Sequence, residues 1–172
     1  MGNSSYDVGH LLSCSGGVGN AGCIGCICVN PTTSVPRGKR SEWSATYRNT
    51  PEGRDYDIDV VSHEMGHQLG ANHTFLYKVE GRRANIEPGT GSTIMGYAGV
   101  ATHSTLNIQE HVDNYYSVNT ITQIQSVLAN KTCSRNSPIF NENIQLKNIA
   151  SVYHLLTFNV GDRKLDRKIM IE

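Results

Sequence analysis

Residues 63–73 read His63-Glu64-Met65-Gly66-His67-Gln68-Leu69-Gly70-Ala71-Asn72-His73, and the spacing within them decides the reading of the whole chain. His63 and His67 are four apart, so on a helix they project from one face, one turn above the other. Gly70 follows, the residue type least penalised at positive φ. A turn there swings the chain back, so that His73 reaches the point where the first two imidazoles converge. Three protein ligands and an open position are what a catalytic zinc ion takes. Glu64 stands directly after the first histidine, where a carboxylate can accept a proton from zinc-activated water and pass it to a leaving amine. A bare H-E-x-x-H is a short pattern, whereas the form present here fixes five positions within 11 residues.

Outward from this stretch, the sequence predicts a helix over about 57–69. Ile58, Val61, Met65 and Leu69 fall at spacings of three, four and four, which gives one apolar stripe. Asp55, Asp57 and Asp59 place negative charge at its start, where the helix dipole favours it, and Gly70 suits its C-terminal end. At about 100° per residue, His63 and His67 lie roughly 200° from the stripe. The expectation is therefore a helix that buries its stripe and shows its imidazoles on the other side.

Residues 6–12, 23–29 and 43–47 read as short strands, separated by the Gly-rich stretch 15–19 and a loop over 31–40. A second helix is predicted over 119–130, with Ile121, Ile124 and Leu128 on one face. Residues 139–172 mix apolar and basic side chains without a clean period.

The chain has 172 residues, 38% of them hydrophobic and 17% charged, which fits a folded domain with one core. Fifteen Lys plus Arg balance fifteen Asp plus Glu, so no electrostatic footprint for nucleic acid or an anionic membrane is present. No apolar run approaches the roughly 20 residues of a membrane span, and residues 1–7 lack the basic and apolar segments of a signal peptide. Five cysteines occur, at 14, 23, 26, 28 and 133, and the odd number leaves one thiol outside any internal pairing. The cluster of Cys23, Cys26 and Cys28 is read either as disulfide-forming, with one bridge to Cys133, or as part of a second metal site. The disulfide reading is favoured, because structural zinc usually needs four ligands. His10, His103, His111 and His154 are scattered and read as surface or satisfied core residues.

The extended histidine pattern resembles the signature of the metzincin metalloendopeptidases, whose second mark is a methionine turn downstream. Ser92-Thr93-Ile94-Met95-Gly96-Tyr97 matches that feature, with Met95 placed 22 residues after His73. Within the clan the chain looks most like the adamalysin or reprolysin branch, in a bacterial-type version. Tyr6-Asp7-Val8-Gly9-His10-Leu11-Leu12 is similar to a strand of those enzymes, and Cys28 with Cys133 matches one of their disulfides. Thr74 stands where adamalysins carry Asp, and pappalysin-like enzymes are the neighbouring option.

The resemblance implies an α+β fold: a twisted sheet packed on an active-site helix, then a mostly irregular C-terminal subdomain with the Met-turn and a last helix. It implies a catalytic domain over 1–134, lacking the first strands and a packing helix of the family, and an extension of unknown structure over 135–172. One zinc ion would be held by His63, His67 and His73, with Glu64 as general base. Substrate would lie extended along an edge strand near 23–29, by strand addition. Tyr97 is read equally as the wall of the pocket beside the scissile bond and as core filler. Protein or peptide substrates and a secreted location follow from the resemblance and the cysteines; a calcium requirement and an oligomeric state do not follow. The rival readings are a truncated, catalytically silent zinc-binding fragment and a zinc-stabilised interaction module.

Overall fold

The computed structural model describes residues 3–40, 42–46, 50–100, 105–133, 153–160 and 163–170. The chain divides into two units, Met1–Ser134 and Arg135–Glu172. In the first unit, three short strands form one sheet in the order β1-β3-β2. β1 spans His10–Ser13, β2 Gly19–Ala21 and β3 Glu42–Ala45. β3 is central and almost wholly covered, as a strand flanked on both edges and packed on a helix should be. β1 runs parallel to it, pairing His10 with Glu42, and β2 runs antiparallel, pairing Ala21 with Glu42.

Two strand expectations shift. Strand 6–12 begins later, at His10, and strand 43–47 begins one residue earlier, at Glu42. The third is overturned, because residues 23–29 form no strand. Gly25 and Cys28 take positive φ values of 71° and 68°, which an extended strand does not allow, and Cys23 bonds to Cys26 across a tight loop. The edge strand comes instead from residues 19–21, at the end of the stretch whose glycines read as a turn.

The helix predicted over 57–69 forms in two pieces. Asp55–Ser62 is wound as a π-helix and α1, His63–Leu69, as an α-helix. In a π-helix each N–H bonds five residues back, so spacings of three and four no longer stack one above the other. The expected burial is reversed as a result. Ile58, Val61, Met65 and Leu69 are only half-buried, while His63, Glu64, His67 and Gln68 are buried. Gly70 ends α1 in the left-handed region, at φ 114°. A Cβ on Gly66 would overlap the sulfur of Met95, so this glycine is what lets residues 94–96 pass close beneath α1.

Residues 71–117 contain no strand or helix among those described, and are tied by main-chain bonds between distant turns. Thr74 donates to the Met95 carbonyl at 3.0 Å, Tyr77 to Gly89 at 2.9 Å and Ile94 to Tyr115 at 3.1 Å. The core beneath them is small: Ala71, Ile94, Met95, Ala98 and Val112, with Ile58, Tyr116 and Ile124 packed against it. α2, Val118–Leu128, is capped by Ser117, whose side chain accepts from the Thr120 amide. Its buried face is rotated from the predicted one. Ile124 and Thr120 face inward and Val127 meets Gly70, whereas Ile121 and Leu128 stay 43% and 39% exposed.

Two disulfides hold this unit: Cys23–Cys26, and Cys28–Cys133 across 105 residues. The second is the pairing that the resemblance implies, and Cys14 remains a free, exposed thiol. In the second unit, β4 (Tyr153–Val160) and β5 (Arg163–Met170) make an antiparallel hairpin, where the sequence shows no period.

Candidate metal centre

The three histidines of the 63–73 stretch meet at one point. His63 and His67 come from successive turns of α1, and His73 arrives by the turn at Gly70. The Nε2 atom of His73 lies 3.0 Å from that of His67 and 3.1 Å from that of His63. Each Nδ1 faces an oxygen: the Ile94 carbonyl at 2.7 Å from His63, the Ala71 carbonyl at 2.8 Å from His67, and Glu80 Oε2 at 3.0 Å from His73. Carbonyl and carboxylate oxygens only accept, so each Nδ1 carries the proton and each Nε2 is left as a lone pair. Three lone pairs facing one another cannot bond among themselves. They form the donor set of a cation, and imidazole nitrogens suit zinc and its neighbours in the transition series.

Burial reinforces that state. It holds His63 well below the usual histidine range, with the neighbouring His67 and His73 adding to the effect. His67 is pushed down to about 4, again by burial first and then by His73. His73 is also lowered by burial, with Glu80 opposing. Neutral imidazoles are the form in which histidine binds a metal.

Glu64 lies against β2, where a Cβ on residue 19 would overlap its side chain, and Gly19 removes that clash. Its Oε2 is buried without a hydrogen-bond partner, and burial raises its pKa from 4.5 to about 7. Met95 is fully buried beneath Gly66. Tyr97 touches both sides of the site, with ring centroids 5.6 Å from His63 and 4.6 Å from His73. It also borders a cavity beside Glu64.

Residues 1–129 match the Metallo-peptidase family M12B, Reprolysin-like. The chain belongs to that family. No curated protein and no solved structure matches it. The M12B assignment carries a metallopeptidase chemistry and protein or peptide substrates, and the His63, His67 and His73 group is the one that could serve it. Among the described residues, two other groups have ligand atoms close together. At Asp7, Cys28 and Cys133 the sulfurs are used in the disulfide. At Asp55, Asp59 and His111 the guanidinium of Arg54 already supplies the cation.

Three carboxyl groups of the M12B chain escape a reading of the sequence. Glu80 orients His73 from a loop. Glu87 accepts from the amides of Ser92 and Thr93 at 2.7 and 2.9 Å and from the Thr93 hydroxyl, and so fixes the segment that delivers the Ile94 carbonyl to His63. Glu42 is buried beneath the helix with both oxygens unpartnered. None sits at a distinctive spacing from the histidines. The scattered histidines read correctly where they are described: His10 bonds to Gln68 and Ser44, and His111 to Asp59. His103 and the side chain of His154 lie outside what the structure describes.

Proposed function

We propose that the Met1–Ser134 unit is a zinc-dependent endopeptidase that hydrolyses internal peptide bonds of proteins, with His63, His67 and His73 holding one ion and Glu64 as general base. The observation that carries this reading is the convergence of three Nε2 lone pairs whose Nδ1 partners are already fixed. Zinc bound there supplies Lewis acidity, which makes water a nucleophile near neutral pH and stabilises developing oxyanion charge. Glu64 receives the proton from the attacking water on its unpartnered oxygen and delivers it to the leaving amine. Its raised proton affinity suits both halves of that transfer.

Met95 acts as the Met-turn residue, a fixed apolar floor under α1. The extended substrate adds along the free edge of β2, residues 19–21, in place of the 23–29 segment first expected. Tyr97 lines the apolar pocket next to Glu64. The disulfides and the M12B membership support a secreted, oxidising setting. A second reading, a zinc-binding unit without turnover, draws on Val61 and Met65, apolar side chains left half-exposed beside the histidines.

Zinc content and cleavage of a denatured protein, compared with Glu64→Ala, separate these readings. Zinc in both, with cleavage by the unmodified chain and a loss of about 10²–10⁴-fold in the variant, supports the endopeptidase. Zinc in both with no cleavage by either supports the silent unit.

A further inference from the structure

Two cavities flank the histidine cluster along β2, and only one of them is lined by arginine. The smaller, about 230 Å³, runs beside Val18, Val60 and Val112 and contains the carboxylates Asp59 and Glu64 with no Lys or Arg in its wall. The larger, about 540 Å³, lies beside His67 and His73 along residues 20–24. Arg37 and Arg82 both line it, from the loop before β3 and the loop after His73. Neither guanidinium has an ion pair or side-chain hydrogen bond among the described residues. Other cations nearby are engaged: Lys39 gives its ammonium to the carbonyls of Asn3 and Tyr6, and Arg54 bonds to Asp59 and Asn114. The one carboxylate in the larger cavity, Glu80, is turned onto His73 Nδ1.

We propose that the His73 half of the cleft recognises an acidic side chain of the substrate, held by Arg37 and Arg82, so that the preferred substrates are proteins with Asp or Glu on that arm of the cleaved segment. This rests on the endopeptidase reading for its setting. Guanidinium groups present paired N–H donors that match a carboxylate. The valine-lined half has no Lys or Arg in its wall to hold the same charge, so the cleft also fixes which way an acidic peptide threads. An antiparallel added strand puts its amino-terminal arm against residues 20–24, and a parallel one its carboxyl-terminal arm.

The test uses short peptides carrying Asp, Asn or Lys at each position on both sides of the scissile bond. Cleavage is followed with the unmodified chain, and binding of the same peptides to zinc-loaded Glu64→Ala by fluorescence anisotropy. The expected result is a preference for Asp over Asn of about five-fold on one arm only, the upper scale of an ion pair made by exposed side chains such as Arg37 and Arg82, shrinking at high salt. Arg37→Ala with Arg82→Ala removes the preference, and Arg37→Lys with Arg82→Lys keeps most of it, which excludes a fold defect as the cause. Equal use of Asp and Asn, a preference for Lys, or an Asp preference that survives the alanine pair overturns the proposal. Selective binding of Asp peptides without cleavage sinks the turnover reading and keeps this one. Absence of both binding and cleavage sinks both.

Discussion

His63 and His67 stand on a helix and are steadied by main-chain carbonyls, those of Ile94 and Ala71; His73 stands on a loop and is steadied by a side chain, that of Glu80. The first two ligands inherit their spacing from helical geometry, and no substitution can delete the oxygens that orient them. The third depends on a turn at Gly70 and on a carboxylate seven residues further along. One half of the centre is therefore robust to change and the other adjustable. The same division separates the two cavities, since the helix side is lined by valines while the loop side carries two arginines without an ion pair among the described residues.

The sharpest way to break the helix-borne half is indirect, through Glu87. Its carboxylate fixes Ser92 and Thr93, and through them the Ile94 carbonyl that orients His63. Glu87→Ala strands two amides at the site, each costing about 1–3 kcal/mol if left unpaired. A clear drop in thermal midpoint is expected, together with weaker zinc binding; an unchanged midpoint would remove Glu87 from this role.

The loop-borne half is probed directly by Glu80→Ala. A lost outer partner of a ligating histidine typically lowers metal affinity about 10–100-fold. Competition with a chelator should show that loss while the thermal midpoint of the metal-free chain stays put. Glu80→Gln, which still offers an accepting oxygen, should fall between. Equal affinities in all three chains would mean that His73 is positioned by the turn alone.

The smallest effect is one of pH, and two buried carboxyl groups give it opposite signs. Burial, with a contribution from Glu64, raises Glu42 from 4.5 to about 8. Its stabilising share is complete below about pH 4.5 and is lost as pH rises through about 8. Burial alone would also raise Glu87, but the hydrogen bonds from the Thr93 hydroxyl and the Thr93 and Ser92 amides outweigh it and lower the pKa. The Glu87 share is present above the ordinary carboxyl range and fades as pH falls through its lowered value. Stability measured against pH should thus lose the part of its decline near pH 8 in Glu42→Gln, while the part near pH 7 that Glu64 contributes and the acid limb remain. A decline near pH 8 that persists in that variant would place its origin elsewhere.

Much of the site was legible because its parts are local. The i, i+4 histidines, the adjacent Glu64 and the glycine before His73 are separated by a few residues, and helix geometry with one left-handed turn converts those separations into positions. Met95 was singled out through resemblance alone, since a methionine flanked by Ser92-Thr93-Ile94 and Gly96 carries no local chemistry of its own, and the structure shows it buried beneath Gly66. The helix face was misread for a physical reason. Periodicity assigns burial to apolar residues, yet here the histidine face is enclosed by Tyr97, Phe75 and the 94–96 segment, while the π-wound start of the helix spreads the stripe. Residues 23–29 alternate small and apolar side chains like a strand, but a disulfide three residues long and two positive φ values override the pattern.

The sequence by itself determined which three histidines converge and which carboxyl group stands beside them, because each follows from short-range spacing on one helix and one turn, and the resemblance of that stretch pointed to the family that residues 1–129 match. Only the tertiary structure decided which oxygens orient the imidazoles, which strand offers its edge, and which arginines line the cleft. Those partners come from segments far apart in the chain, and packing, which has no signature in linear spacing, is what brings them together.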